Sequence, residues 1–239
     1  MSGWKAKRFW KTVSVVEGPE GFGLNLDARP MRTPGKQLLI VPTPAMADAI
    51  AAEWRAVDKI VDPGIMPVTR AANSAIDKVT PQFHEVADLI AAYGASDLLC
   101  YRAPAPAELF SAQAAAWDPF LAWAAQTLKI RLNVTQGITP IDQPAASLRA
   151  VAARVQACSP FQLTALHDLV SISGSFILGL AATHPQFDPD SLWRVSRFEE
   201  DWQARLWGHD EDASAIAEIK RLDFMAAHRF WQLSSAKPE

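Results

Sequence analysis

The chain has 239 residues, 49% of them hydrophobic and 21% charged. That is too apolar for a disordered chain and long enough for one large domain or two small ones. The net charge of −3 argues against general nucleic-acid binding, which rests on a cationic surplus. Nine tryptophans against two tyrosines concentrate the aromatic mass in the residue that anchors cores and binding hot spots. Two cysteines, Cys100 and Cys158, are too few for a disulfide framework or a Cys-rich zinc site, and read as buried thiols of a reducing compartment. Residues Met1 to Arg8 lead into Phe9-Trp10 with no apolar stretch behind them, so a cytoplasmic protein is expected. The longest apolar segment, Val170 to Ala182, has 13 residues and is too short to span a bilayer.

In chain order, Arg8 to Val16 reads as a strand rich in β-branched and aromatic residues. Turns at Gly18–Gly21 and Asp27–Pro30 separate it from Phe22–Leu26 and a short strand Met31–Thr33. Gln37–Val41 then completes an antiparallel meander. Such a meander is marginal without a cover. The cover is a helix opened by Thr43 as N-cap and Pro44 at its first position, with Met46, Ile50, Trp54 and Val57 on one face. A second helix is expected over Val68–Val79. Lys5, Lys7, Arg8 and Lys11 read as a solvated strand edge, where cations block edge pairing.

From Pro81 onward the pattern is helical. Segments are predicted at Pro81–Tyr93, Glu108–Trp117, Asp118–Ile130, Ala145–Ala157, Pro160–Ala182, Pro189–Trp207 and Ala213–Leu233. Asp118-Pro119 is a candidate break, because proline removes an interior hydrogen bond. Gly174 and Gly179 are read as allowing close helix packing. The fold class is therefore α+β, with a small N-terminal β-meander and covering helices over 1–80. A larger all-α domain follows over 81–239.

The familiar catalytic patterns are missing. Ser173-Gly174-Ser175 has the wrong spacing for a nucleophile elbow, and Pro34-Gly35-Lys36-Gln37 is not a phosphate loop. Gly21-Phe22-Gly23 lacks the third glycine and following helix of a dinucleotide fingerprint. The five histidines offer no zinc pair. His209-Asp210-Glu211-Asp212 reads as an acidic loop capping the last helix rather than a metal site. His167-Asp168 reads as a hydrogen-bonded helix pair. No catalytic, cofactor-binding or metal-binding residue is assigned.

The distinctive segment is 188–212. It holds eight acidic residues against Arg194, Arg197 and Arg205, a local charge of −5, and three of the nine tryptophans. On one continuous helix over Pro189–Trp207, Leu192, Val195, Phe198, Trp202 and Leu206 share an arc from which Glu199 projects. Trp193, Ser196, Glu200 and Trp207 share a second, nearly opposite arc. Either the helix is buried on both sides with its carboxylates paired to arginines, or the second arc is an exposed aromatic-acidic interface. Glu199, inside the apolar arc, needs a partner in either case. The candidate partner-binding residues are Trp193, Glu199, Glu200 and Trp207. Glu200 suits a contact and Glu199 a structural pair.

Several stretches carry a family resemblance. They are Arg8-Phe9-Trp10-Lys11, Gly23-Leu24-Asn25-Leu26-Asp27-Ala28-Arg29-Pro30-Met31-Arg32-Thr33-Pro34, Ala49-Ile50-Ala51-Ala52-Glu53-Trp54 and Met66 to Asp77. Asp97-Leu98-Leu99-Cys100-Tyr101-Arg102, Trp117-Asp118-Pro119 and the run from Glu199-Glu200 to Trp207-Gly208 follow. In this order they make the chain resemble the assembly chaperones of the F-type ATP synthase catalytic sector, the class that binds the alpha subunit. One departure is Ala28, where the family usually has glycine. The resemblance implies a two-part fold, no enzymatic activity and no cofactor. It implies binding of the unassembled alpha subunit, protection from aggregation and release for ring assembly. It also implies a functional acid at Glu199 or Glu200. The location would be the bacterial cytoplasm, or the mitochondrial matrix for a processed organelle homologue. Nucleic acid, membrane insertion and a small-molecule substrate are not expected. The competing reading is an enzyme with an interdomain site drawing on His84, Asp97, His167 and Asp168. A permanent structural adaptor is a third.

Overall fold

The computed structural model describes residues 7–208 and 210–235. Trp4, Lys5 and His209 lie outside them. The chain divides into two compact units. Unit 1 takes the chain to Phe83, with Ser159–Ala165 and the residues from Arg229; unit 2 takes His84–Cys158 and Leu166–His228. Among the described residues no helix is long and apolar enough to cross a membrane.

Unit 1 is built on a hairpin. Strand β1 (Val13–Gly18) pairs antiparallel with β2 (Gly21–Leu26), Val13 opposite Leu26 and Gly18 opposite Gly21. Strands β3 (Arg29–Pro30) and β4 (Ile40–Val41) pair with β2 as well. The meander forms, but β1 starts later than the composition suggests. The Lys11 and Thr12 amides donate to the Asp27 carboxylate at 3.0 and 2.9 Å instead of to a strand. Those bonds, the Thr12 amide first, hold the Asp27 carboxyl below the usual carboxylate range. Arg8 is not a free edge cation either, since its guanidinium donates to the Trp10 and Val57 carbonyls.

Helix α1 (Pro44–Ala56) covers the sheet. Thr43 Oγ1 accepts from the Met46 amide at 3.1 Å and donates to the Leu233 carbonyl at 2.7 Å. Met46, Ala47, Ile50 and Ala51 enter a core with Trp10, Leu24, Leu39 and Val41. Phe161, Ala165 and Phe230, from late in the chain, join the same core. Helix α2 (Pro67–Ser74) is capped by Glu53, whose carboxylate accepts from the Val68 and Thr69 amides at 2.8 Å and the Thr69 hydroxyl at 2.6 Å. A π-helical turn, Ala75–Val79, extends it. Asp77 in that turn accepts from Thr33 Oγ1 at 2.6 Å and the Gly35 amide at 2.8 Å, fastening α2 to the meander.

Unit 2 is helical. Its elements include α3 (Phe83–Ala92), α4 (Ala107–Trp123), α5 (Ala145–Gln156), α6 (Pro160–Ser173), α7 (Phe176–Ala181), α8 (Pro189–Ser196), α9 (Phe198–Trp207) and α10 (Glu211–Ser235). Helices α6 and α10 each also give one end to unit 1. Strands β5 (Tyr101–Arg102) and β6 (Thr135–Gln136) form a short parallel pair. Two residues per strand are too few to leave an alternating pattern, so this pair was invisible in the sequence.

Three expected helices differ. Asp118-Pro119 does not break α4, which runs through Pro119. Pro119 and Ala115 are both exposed, on a side of α4 where water can take the place of the missing proline N–H. The segment Pro160–Ala182 is two helices, because Gly174 takes a left-handed φ of 72° and stops α6. Ser175 then caps α7, accepting from the Leu178 amide at 3.0 Å. The segment Pro189–Trp207 is also two helices. Arg197, at φ −101° and ψ 14°, leaves the helical region between α8 and α9.

Gly179 does serve close packing. A Cβ there would stand 2.5 Å from Val170 Cγ2 and 3.0 Å from the Val170 backbone nitrogen. Gly179→Ala is therefore expected to destabilise the protein by about 2 kcal/mol through overpacking. Urea unfolding at pH 7 checks this, and an unchanged midpoint would contradict it.

Candidate partner-binding surface

The kink at Arg197 rearranges the acidic-aromatic segment. Helix α8 starts at Asp188, whose carboxylate accepts from the Ser191 amide at 2.9 Å, and buries Leu192, Trp193 and Ser196. Trp193 is 6% exposed, with its ring centroid 6.0 Å from that of Phe224 on α10 and the Arg197 guanidinium 5.6 Å away. The shared outward arc of Trp193 and Trp207 does not exist, because the two lie on different helices. Trp207, by contrast, is 80% exposed. Leu206, expected in the apolar arc, is exposed as well.

Helix α9 has no fully buried residue and packs against α4. Phe198 lies edge-on to Trp117 at 6.4 Å between centroids, and Trp202 stacks on Phe198 at 6.5 Å. Glu199 Oε2 accepts from Gln113 Nε2 at 3.0 Å. Gln113 is itself buried and fully engaged. Its Oε1 accepts from the Ala103 amide at 2.7 Å, and its carbonyl accepts from Arg102 Nη1 at 2.7 Å. Trp117 Nε1 donates to the Val195 carbonyl at 3.0 Å. Glu199 thus finds the partner that its position demanded, a glutamine rather than an arginine. Glu200 is exposed, 3.9 Å from Arg197.

Between α9 and the start of α10 lies an open groove of about 1000 Å³, with Trp193, Phe198, Glu200, Trp207 and Ile216 in its walls. Three of the four candidate residues therefore meet in one groove, and Glu199 supports it through α4. The sequence did not single out the α10 wall. Ile216 lines it, and Ile219 and Leu222 further along α10 are exposed too, at a spacing that reads as a core face in an isolated helix. Arg221 anchors this wall, donating to Glu218 at 2.8 and 2.9 Å and to Asp190 at 2.9 Å.

Of the residues weighed for catalysis, Asp97 and the pair His167 and Asp168 are held in hydrogen bonds within unit 2. Asp97 is fully buried, and its oxygens accept from the Leu99 amide (2.9 Å), Ser175 Oγ (2.8 Å) and the Ile177 amide (2.9 Å). Burial pushes its carboxyl up to about 6. His167 Nδ1 sits 2.9 Å from Asp168 Oδ1, a hydrogen bond that raises the imidazole pKa. Burial pushes the Cys100 thiol up to about 12 and the Cys158 thiol up to about 11, which disfavours the reactive thiolate. Cys158 is only partly buried. Among the described residues no group of three or more His, Cys, Asp or Glu could hold a metal ion.

The groove thus sets Trp193, Phe198, Trp207 and Ile216 among side chains of both charges, Glu200 and Asp201 beside Arg194, Arg197 and Arg205. The family model of the ATP12 chaperone protein matches residues 7–125. The crystal structure of Atp12 from Paracoccus denitrificans is 48% identical, with 96% of this chain and 98% of that chain covered and a TM-score of 0.93. An aspartate-to-lysine mutant of the P. denitrificans protein matches with a TM-score of 0.94 at the same identity and coverage. A crystal structure of a protein from Agrobacterium tumefaciens is 37% identical, with 96% of this chain and 86% of that chain covered and a TM-score of 0.91. The chain belongs to the ATP12 family, chaperones of ATP synthase assembly.

Proposed function

We propose that this chaperone binds the unassembled alpha subunit of the ATP synthase catalytic sector, in the bacterial cytoplasm and without catalysing a reaction. It keeps that subunit from aggregating and hands it over for ring assembly. The observation that carries the choice of surface is Trp207, an 80% exposed tryptophan in the wall of the groove that Glu200 also lines. Trp207 shares the groove with Trp193, Phe198 and Ile216, and apolar side chains grouped in this way mark an interaction surface. Glu200 and Trp207 touch the client, Trp193 forms the groove wall, and Glu199 holds α9 in place. Binding removes the client's apolar surface from aggregation, and charges at the rim speed encounter and select the partner. The complex must be weak enough for the true neighbour in the ring to displace the chaperone.

The test is capture of alpha subunit diluted from denaturant, read by light scattering and by cross-linking from residues 200 and 207. Wild-type protein should suppress aggregation, and Trp207→Ala should weaken capture by about tenfold or more, the range of an interface hot spot. Equal capture of an unrelated bait would refute the reading, as would cross-links confined to the meander. A complex that no neighbouring subunit displaces would favour a permanent adaptor.

A further inference from the structure

Among the described residues, strand β1 pairs with β2 alone and so forms an edge of the unit 1 sheet. The alternation of an antiparallel ladder turns the N–H and C=O groups of Val13, Val15 and Glu17 away from β2. Two bonds fix this phase. Arg55 Nη2 donates to the Val13 carbonyl at 3.0 Å, and the Leu24 carbonyl, on the strand position opposite Val15, accepts from the Met31 amide at 2.8 Å. From Val15 to Gly18 the edge takes no backbone bond from any other described segment. Natural edges are blunted by lysine, proline or a bulge. Strand β1 contains no lysine or proline, and its ladder with β2 runs without a bulge.

Beside this edge lies an apolar pocket of about 240 Å³. Val13 and Val15 point to the core, so Val16 and Gly18 face the other side of the sheet, where the pocket lies. Val16 and Ile40 flank Gly23 in one cross-strand row, and the side chain missing at Gly23 leaves the hollow between them. Gly18 lines the same pocket and leaves it without a side chain towards the edge. Neither glycine needs a left-handed backbone, and an added Cβ would meet nothing nearer than 3.6 Å at Gly18 or 3.9 Å at Gly23. A strand glycine without a steric cause marks a place where a ligand or another backbone comes close.

We propose that β1 receives an extended segment of a protein partner as an added strand, with one leucine- or phenylalanine-sized side chain leaning over Gly18 into the pocket. This contact on unit 1 is separate from the groove and does not depend on which subunit is the client. Three properties select the occupant. The open groups of Val15 and Glu17 repeat every second residue, which only an extended backbone matches. The pocket is smaller than the roughly 300–1,000 Å³ of small-molecule sites and suits a single side chain. The open stretch Val15–Gly18 is about 14 Å long. That is too little for the roughly 800 Å² that each partner of a stable dimer buries, which disfavours a second copy of this chain. Unassembled subunits expose unpaired strands of this kind, and an assembly chaperone meets them.

The experiment uses the full chain and labelled peptides of about eight residues. The first alternates threonine and valine around a central leucine, and the second has alanine in place of the leucine. Two more carry N-methyl groups on alternate amides, one on each set. Fluorescence anisotropy should show the leucine peptide binding about tenfold tighter than the alanine one. One methylated peptide should lose about tenfold and the other should keep its affinity, because only one set of amides meets β1. Hydrogen exchange of the Val15 and Glu17 amides should slow when the leucine peptide is bound. Gly18→Val should weaken binding about tenfold without lowering the unfolding midpoint, since its Cβ meets only ordinary contacts. Leu38→Glu, at a residue 45% exposed in the pocket wall, should weaken it as well and leaves β1 untouched. Equal binding of the two methylated peptides, or no effect of either variant, would overturn the added strand. So would slowed exchange on α9 or α10 in place of Val15 and Glu17. A dimer in sedimentation equilibrium that Gly18→Val dissociates would make the occupant a second copy and overturn it too. Alpha-subunit capture without strand addition would sink this inference alone. Strand addition without alpha-subunit capture would sink the client assignment and leave the edge site.

Discussion

Replacing Asp97 with alanine is expected to destabilise the protein by about 3–5 kcal/mol, the largest effect of any single substitution considered. The side chain is fully buried and accepts two backbone N–H groups and one hydroxyl. It caps the turn Leu98–Cys100 and simultaneously holds the first turn of α7. Alanine would orphan the Leu99 and Ile177 amides and the Ser175 hydroxyl, at about 1–3 kcal/mol for each buried group. Asp97→Asn keeps one acceptor but turns a donor towards another donor, whichever way the amide is flipped. It should cost about 1–3 kcal/mol. Urea unfolding followed by helical circular dichroism reads both.

The same residue sets a pH dependence of unusual sign. Its carboxyl rises from 3.8 to about 6 on folding because burial disfavours the charge. Between those values the folded chain holds a proton that the unfolded chain has lost. Stability is then fully present below the unfolded value, falls as pH rises through the folded one, and levels off above it. The fall is about 3 kcal/mol at about 1.4 kcal/mol per unit. Asp97→Asn should remove this slope, so the wild-type protein loses ground to the variant between pH 4 and 7. Parallel stability curves for the two proteins would refute the assignment.

Asp97 also illustrates what a sequence exposes and what it hides. It stood out as part of Asp97-Leu98-Leu99-Cys100-Tyr101-Arg102, yet two of its three donors, Ser175 and Ile177, lie about eighty residues away. A carboxylate spent on distant backbone amides looks like one free for chemistry until the partners are placed. Thr43 was legible as a cap because its partner lies three residues on, the same short span over which Ser159 and Asp188 cap their helices. The meander was legible for the same reason, since its turns are local and its register follows from them. The breaks at Gly174 and Arg197 were not. Hydrophobic period continues across both, and only the left-handed glycine and the backbone of Arg197 interrupt it. That second break decided the candidate site. The helical wheel correctly sent Glu199 inward and Glu200 outward, which lie next to each other on one helix. It misplaced Trp193 against Trp207, because the wheel was carried across a kink.

Arg102→Ala should destabilise the protein by about 3–4 kcal/mol, while Arg102→Met should cost only about 1–2 kcal/mol. Arg102 is 2% exposed and spans from the Gln113 carbonyl to Asp118 Oδ1, 2.7 Å from each. Its guanidinium carbon lies 4.9 Å from the centre of the Trp117 ring. Burial lowers its pKa from the usual guanidinium value, which marks the cost of hiding the charge. The ion-pair partner Asp118 keeps 62% of its side chain in water, so losing the arginine leaves no buried carboxylate behind. What alanine removes is mostly volume against Trp117 and the donor to Gln113, and methionine restores the volume. The pair of variants therefore separates packing from charge, and equal losses would show that the charge dominates. The functional consequence runs through Gln113, which is held by Arg102 and in turn holds Glu199 at the start of α9. Hydrogen exchange of the α9 amides should accelerate in Arg102→Ala more than in the α7 amides of the same protein. Client capture should fall with it, although Arg102 is too deeply buried to touch the client. Unchanged α9 exchange beside weakened capture would mean that Glu199 does not set the position of Trp207.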